Sequence, residues 1–119
     1  MVEMLVMNLA NTIGWRIDGR VSETEIEEIF SAINHLAADG DVYLYQEIIN
    51  IGAVEFDAVL EKLKFLFSGG LSDIKRVAVV TDKHWLKKIV GWEDKLFKSI
   101  DIRGFSLQER DQAIHFLSD

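Results

Sequence analysis

The stretch VYLYQEII, residues 42–49, decides the fold, because it is apolar along both faces, as the central strand of a covered sheet is. The short β-branched run RVAVV, residues 76–80, has the same character. Between the two runs, apolar residues recur at intervals of three and four, which predicts a helix. They are Phe56, Val59, Leu60, Leu63, Leu66 and Phe67. A strand, a helix and a second strand in this order favour a parallel sheet.

Two strands and a helix are predicted before this unit. Residues 4–9 and 12–18 read as strands joined by a tight turn. Ser22 and Glu25 then have the spacing of a capping box, in which each side chain satisfies a free backbone N–H of the first helical turn. The apolar face of the helix that follows consists of Ile26, Ile29, Phe30, Ile33 and Ala37.

Three further elements are predicted after RVAVV. Residues 83–97 have the apolar spacing of a helix. Ile100 and Ile102 alternate with charged residues, which indicates a last strand. Ser106 and Glu109 repeat the capping box and begin a closing helix. The order β-β-α-β-α-β-α-β-α predicts one α/β domain over residues 1–119, with a mixed, mostly parallel sheet of about five strands covered by four helices.

This order of elements resembles the STAS domain of anti-sigma-factor antagonists, and the chain is more similar still to the SpoIIAA-like family of bacteria. The matching stretches are IDGRVSETE at residues 17–25, RVAVVTDKHW at 76–85 and IDIRGFSLQERDQAIHFL at 100–117. The resemblance covers essentially the whole chain. It implies the same fold and a role in binding other proteins.

The chain departs from anti-sigma-factor antagonists at their regulatory site. Those proteins are switched by phosphorylation of a serine at the start of the helix after the central strand, where a phosphate suits the helix N-terminus. The corresponding region here, EIINIGAVEFDAVLE at residues 47–61, contains no Ser, Thr or Tyr. The resemblance therefore implies the fold without that phosphorylation switch.

Composition excludes several classes of function. Cysteine is absent, which rules out disulfides, thiolate catalysis and Cys-ligated zinc. The three histidines are far apart and show no ligand spacing, so neither a metal nor a cofactor is predicted. A net charge of −7 argues against nucleic-acid binding. No apolar run approaches the ~20 residues that span a bilayer, and the N-terminus does not resemble a signal peptide, so we expect the cytoplasm.

Charge is divided unevenly along the chain. Residues 21–61 carry ten acids and no Lys or Arg, whereas residues 62–98 carry nine bases and four acids. The predicted helix 83–97 lies in the basic part, with two tryptophans on its apolar face and lysines opposite. This composition is typical of a helix that lies on a membrane surface. The alternative is a helix that packs on the sheet and turns its lysines to water.

Nine residues are predicted to make contact with a ligand or a membrane. Phe65 lies on the outer side of the second helix and extends the apolar surface of the third. The predicted apolar contacts are Phe65, Trp85, Ile89, Trp92 and Leu96. The predicted electrostatic contacts are Lys83, Lys87, Lys88 and Lys95.

A rim of polar residues is also predicted, because ligands of open α/β sheets collect at the carboxyl ends of the parallel strands. Glu47, Asn50, Asp82 and His84 are expected there, beside Trp85. A carboxylate and a histidine can act as acid and base. However, Asp82 has a simpler role as a helix cap, and no nucleophile accompanies the pair. Neither catalytic residues nor an enzyme is therefore predicted.

Our preferred hypothesis is a non-catalytic binding domain that holds a small lipophilic ligand or docks reversibly on an anionic membrane surface, and so lies at times at the membrane periphery. The alternative is a phosphorylation-independent protein-interaction module in bacterial signalling. Its partner would meet the loop Asn50 to Ala53 and the start of the second helix. The acidic first helix also has the charge to complement the basic segment of a second copy, which predicts a homodimer.

Overall fold

The computed structural model describes residues 1–68, 73–94 and 100–118, and the side chains of residues 63–68 and 89–94 lie outside this description. The strands are β1 (Val2–Leu5), β2 (Thr12–Asp18), β3 (Val42–Ile49), β4 (Ile74–Thr81) and β5 (Asp101–Ser106). The helices are α1 (Glu23–Ala37), α2 (Ala53–Ser68), α3 (Lys83–Asp94) and α4 (Arg110–Ser118), the last preceded by a 3₁₀ turn over Leu107–Glu109. The predicted α/β class and order of elements are confirmed.

The five strands form one sheet in the order of the chain, β1-β2-β3-β4-β5. β1 is antiparallel to β2, and the other three pairs are parallel. Each parallel connection moves to the next strand in the same direction, so right-handed crossovers place α1, α2 and α3 on one face of the sheet. α4 follows the last strand and covers part of the other face. β3 therefore lies in the middle of the sheet with helices on both sides.

Two apolar cores separate along these two faces. The first core lies under α1, α2 and α3. Its buried residues include Trp15, Ile17, Ile29, Ile33, Leu44, Ile48, Phe56, Val59, Val77 and Val79. The second core lies under α4 and is smaller: Tyr45, Ala78, Val80, Ala113, Phe116 and Leu117. Residues of β4 alternate between the two cores, which confirms the prediction that RVAVV is covered on both sides.

The N-terminal hairpin differs from its prediction. The first strand covers Val2–Leu5, so the prediction of a strand through residue 9 is wrong. Val6 is 91 % exposed, while Leu5, Met7 and Leu9 pack against the second core. Residues 6–9 can approach the sheet closely because the residue of β2 beneath Met7 is Gly14. A Cβ at that position would lie 2.5 Å from the Met7 sulfur. Burial of apolar side chains over the sheet thus replaces continued strand pairing.

The capping box at the start of α1 is confirmed. The Glu25 N–H donates to Ser22 Oγ at 3.1 Å, and the Ser22 N–H donates to Glu25 Oε1 at 3.0 Å. The second carboxylate oxygen of Glu25 accepts from the Val2 N–H at 2.5 Å. These backbone hydrogen bonds, from Ser22 first and then Val2, lower the pKa of Glu25. One side chain therefore caps α1 and fastens β1 to it.

Candidate functional site

Three of the predicted rim residues lie near the carboxyl ends of β3 and β4. Asn50, Asp82 and His84 are exposed. Asp82 Oδ1 accepts from the His84 N–H at 3.0 Å, which confirms that Asp82 caps α3. Asn50 adopts a φ of 50° directly after β3 and donates from Nδ2 to Asp18 Oδ1 at 3.2 Å. The side chains of Asp82 and Asn50 are thus engaged in local structure near the ends of the parallel strands.

Glu47, the fourth predicted rim residue, lies on the opposite face of the sheet from Trp85. It is 3 % exposed and meets three partners beneath the start of α4. The Tyr45 hydroxyl donates to Oε2 at 2.6 Å, and Arg16 Nε donates to Oε1 at 3.0 Å. Arg110 donates to both carboxylate oxygens, from Nε at 3.2 Å and from Nη2 at 3.3 Å. The structure does not bring Glu47 together with His84.

This network keeps Glu47 ionised. Burial raises the pKa of the carboxyl group, but hydrogen bonds from Tyr45, Arg110 and Arg16 together outweigh it, so the pKa of Glu47 lies below its usual value. Burial and the neighbouring carboxylate raise the pKa of Tyr45. The Glu47 carboxylate accepts four hydrogen bonds and stays ionised. This arrangement suits a residue that holds α4 against β3 better than one that takes up and releases protons in catalysis.

The described part of α3 packs inward through Trp85. The indole is half-buried and stacks on Phe56 of α2, with ring centroids 4.8 Å apart and ring planes 14° apart. His84 meets the same indole edge-on at 4.7 Å. Lys88 Nζ lies 5.8 Å from the indole centroid and 2.5 Å from Asp57 Oδ1. Lys83 and Lys87 are exposed.

The remaining predicted contact residues lie outside the described residues. This applies to the side chains of Phe65, Ile89 and Trp92 and to the whole of Lys95 and Leu96. Their predicted contacts with a ligand or a membrane stay predictions.

A groove lies between α1 and α2. One part has a volume of about 460 Å³ and is lined by Ile26, Phe30, Ala58, Glu61 and Lys62. A second part of about 300 Å³ shares Ala58 and Lys62 and is otherwise lined by Arg20, Val21, Val54, Glu55 and Val59. The two parts therefore adjoin along α2. Their combined lining is mainly apolar, with charged residues interspersed.

The groove was not predicted from the sequence. Ile26 and Phe30 were assigned to the apolar face of α1, but both are half-buried and form one wall of the groove. Val54 and Ala58 lie on the outer side of α2, where exposure is the ordinary expectation. The available signal was that Phe30 occupies one edge of the apolar face of α1, where a helix leaves contact with a sheet.

No group of three His, Cys, Asp or Glu residues in the described ranges 1–68, 73–94 and 100–118 is arranged to hold a metal ion. No helix in the same ranges is both long and apolar enough to cross a bilayer.

Comparisons with known proteins identify the fold and the family. The search of curated proteins finds no match to this sequence. The structure is similar to that of an uncharacterised protein of Shewanella loihica PV-4 with a SpoIIAA-like fold, with a TM-score of 0.62 at 12 % identity over 98 % of this chain and 93 % of that one. The sequence model of the SpoIIAA-like family matches residues 12–118. Together with the mixed five-stranded sheet and its capped helices, this match shows that the chain belongs to the SpoIIAA-like family.

Proposed function

We propose that this protein is a binding domain whose groove between α1 and α2 holds a small lipophilic molecule. The SpoIIAA-like fold is consistent with a non-catalytic domain. The observation that supports the proposal is the groove of about 460 Å³ between the two helices. A part of about 300 Å³ adjoins it, between α2 and residues 20–21 before α1. Ligand cavities typically have volumes of about 300–1,000 Å³ and mainly apolar walls.

The apolar wall of the groove is accessible to a ligand. Ile26 and Phe30 are half-buried, and Ala58 and Val54 are exposed, Val54 to 79 %. Covering apolar surface is favourable by about 25 cal/mol per Å². The polar ends of Arg20 and Lys62 border this wall and are suited to a polar group on the ligand. The proposed location differs from the surface of α2 and α3 that the sequence predicted.

The neutral dye Nile red tests this proposal, because its fluorescence rises in apolar surroundings and it carries no charge. Ala58 lines both parts of the groove, so Ala58→Trp should fill it and weaken dye binding by about tenfold or more, the loss expected for about 1.4 kcal/mol of contact. Ala38→Trp is the matched control, because Ala38 is exposed at the end of α1 and does not line the groove.

Equal dye binding by the two variants, or none by the unmodified protein, would overturn the groove proposal. Native mass spectrometry of freshly purified protein adds an independent measurement. A co-purifying small lipophilic mass that is present in the Ala38→Trp protein and lost in Ala58→Trp would support the proposal. The same spectra report whether the chain is a dimer.

A protein-interaction module is the second candidate, and one observation favours it. Val54 is 79 % exposed at the second residue of α2, and Ala53 before it and Asn50 and Gly52 of the preceding loop are also exposed. The loop is preformed, since Asn50 bonds Asp18. A fixed apolar protrusion costs little conformational entropy when a partner covers it.

Two exposed valines provide a matched pair for this second candidate. Val54→Asp should abolish stoichiometric capture of a protein partner from a bacterial lysate. Val6→Asp should leave it unchanged, because Val6 lies in the connection between β1 and β2. Capture that survives Val54→Asp, or that is lost equally in both variants, would exclude this surface.

Reversible docking of α3 on an anionic membrane stays a prediction. Lys83 and Lys87 are exposed, and each lysine near such a surface contributes about 1 kcal/mol. Co-sedimentation with vesicles that contain phosphatidylserine should therefore fall in the double variant Lys83→Gln, Lys87→Gln, and in high salt. Equal sedimentation with uncharged vesicles would rule out electrostatic docking.

A further inference from the structure

A buried amide on the central strand has hydrogen-bond donors without an acceptor. Gln46 is 1 % exposed and lies on the face of β3 that α1, α2 and α3 cover. Its Nε2 contacts no acceptor among the residues whose side chains the structure describes. Most buried polar groups have a hydrogen-bond partner, so an unmatched donor at this depth requires an explanation.

The orientation of this amide is set by Trp15. The two residues are paired across β2 and β3, and the indole N–H donates to Gln46 Oε1 at 2.7 Å. An indole nitrogen is a donor only, so the amide group must turn its oxygen to Trp15. The indole is itself 1 % exposed, which holds the pair in place. The amide NH₂ group therefore stays available to donate to another molecule.

The choice of glutamine departs from the rest of this strand face. The alternate residues Val42, Leu44 and Ile48 are aliphatic and completely buried. An aliphatic residue at position 46 would pack in the same core without an unmatched donor, which costs free energy when it is buried. Departures from such local rules are expected at functional sites, where the residue serves a ligand.

Gln46 lies at the level of the groove between α1 and α2. Both helices start at the carboxyl end of the parallel strands that precede them. Gln46 is three residues before the end of β3, about 10 Å along the strand. The groove residues Phe30 and Val59 are seven and six residues into their helices, also about 10 Å from the same end. Val59 and Trp15 belong to one buried cluster.

We propose that Gln46 selects the polar group of the ligand in this groove by donating from Nε2 to a neutral carbonyl oxygen, as in a lipophilic ketone, aldehyde or ester. This inference rests on the proposed function of the groove. The carbonyl end enters between α1 and α2 towards β3, and the hydrocarbon part stays against Ile26 and Phe30, which are only half-buried. A carboxylate is disfavoured, because burying its charge beside an uncharged amide costs more than burying a carbonyl.

Displacement of Nile red by hexanophenone and by hexylbenzene tests the proposal. The two probes have the same ring and chain length and differ only in a C=O group that replaces CH₂. Comparing the ratio of their dissociation constants between protein variants cancels their different transfer from water. Gln46→Met should weaken hexanophenone relative to hexylbenzene by about tenfold, the size expected for loss of one buried hydrogen bond.

Gln112→Met is the matched control, because it makes the same chemical change at an exposed position of α4, on the other face of the sheet. The ratio should be the same in this variant as in the unmodified protein. A ratio that is unchanged in Gln46→Met, or changed equally in both variants, would overturn the proposal.

NMR of the unmodified, ¹⁵N-labelled protein provides a measurement that does not depend on the folding of a variant. Hexanophenone should shift the Nε2 proton resonances of Gln46 downfield, as a new hydrogen bond does, and hexylbenzene should not. A long-lived water in contact with these protons both with and without the ketone would assign the donors to a structural water and overturn the proposal.

The two proposals fail in different ways. If Nile red binds and Ala58→Trp excludes it, but Gln46→Met leaves the ratio of the two probes unchanged, the groove is retained and Gln46 has no part in selecting its ligand. If Nile red does not bind to the unmodified protein, the groove itself is not a lipophilic site, and the role of Gln46 is excluded with it.

Discussion

The guanidinium of Arg110, the first residue of α4, contacts both carboxylate oxygens of Glu47 in the middle strand, at 3.2 and 3.3 Å. The two residues are 63 positions apart in the sequence. With Arg16 and Tyr45 they form the polar link between the central strand, the second strand and the last helix. The described contacts of α4 with the sheet are otherwise made mainly by apolar residues of the second core.

We expect Glu47→Gln to lower the free energy of unfolding by about 1–3 kcal/mol, because hydrogen bonds to a buried charged group are replaced by weaker ones. Urea unfolding followed by circular dichroism measures the change. Glu3→Gln is the matched control, since it removes the exposed partner of Arg16 at 2.8 Å and should cost less than about 1 kcal/mol. Equal losses in the two variants would contradict a specific role for the buried carboxylate.

The stability that Glu47 contributes should depend on pH in the acid range. Its pKa is lowered in the folded state, so its contribution is fully present above the ordinary glutamate value of 4.5 and is lost as pH falls through the folded pKa. The difference in unfolding free energy between the unmodified protein and Glu47→Gln should therefore shrink between neutral pH and pH values below 4.5. A difference that stays constant over this range would show that the carboxylate pKa is not lowered.

Tyr45 should give the opposite dependence in the alkaline range. Its pKa is raised in the folded state, so its contribution is present below the ordinary tyrosine value of 10.0 and is lost as pH rises above it towards the folded pKa. Tyr45→Phe removes the hydrogen bond from the hydroxyl group to Glu47, so it should lower stability at neutral pH. The variant should also lose less stability than the unmodified protein as the pH rises above 10. Urea midpoints measured on both sides of pH 10 check both effects. An identical alkaline loss in Tyr45→Phe would assign it to other groups.

Trp85→Ala should destabilise the protein by about 1–3 kcal/mol, because a half-buried indole stacked on Phe56 is removed. Lys87→Ala, on the same helix and exposed, should change stability by less than about 0.5 kcal/mol. Thermal unfolding compares the two. Unchanged stability of Trp85→Ala would mean that the stacking contributes little and that the indole is available for contacts outside the core.

Gly14→Ala should test the close contact between β2 and the connection before it. An added Cβ would lie 2.5 Å from Met7 Sδ and 2.7 Å from Met7 Cγ, so the methionine must move, at a cost of about 1–3 kcal/mol. In Met7→Ala the space is open, and the added methyl group should cost much less. A double-mutant cycle measures this coupling. Additive losses would show that the two residues do not meet.

Local sequence signals predicted most of the fold. The capping box of Ser22 and Glu25 is formed as the spacing indicated, because its two partners are three residues apart and lie in one helical turn. The strand RVAVV was recognised because a continuous β-branched run is typical of a strand that is covered on both faces. The prediction failed where tertiary contacts decide: residues 6–9 alternate like a strand, but Met7 and Leu9 pack over the sheet.

The candidate sites were predicted less well. Glu47 was placed on the correct strand but beside His84, whereas alternation along β3 turns it to the face of α4. Trp15 and Gln46 show the same limit on the other face, where the indole N–H donates to the buried amide oxygen at 2.7 Å across 31 residues of sequence. Partners at such separations depend on strand register, which no short pattern specifies.

The sequence by itself determined the order of the elements, the parallel sheet, the starts of two helices and the absence of cysteine chemistry, because each depends on neighbouring residues or on composition. The tertiary structure decided which side chains meet. Arg110 contacts Glu47, Trp85 contacts Phe56, and Arg76 and Arg103 both contact the ring of Phe116. These contacts follow from register and from the face that each helix covers. Both are set by the packing of the whole chain, and only the folded molecule fixes them.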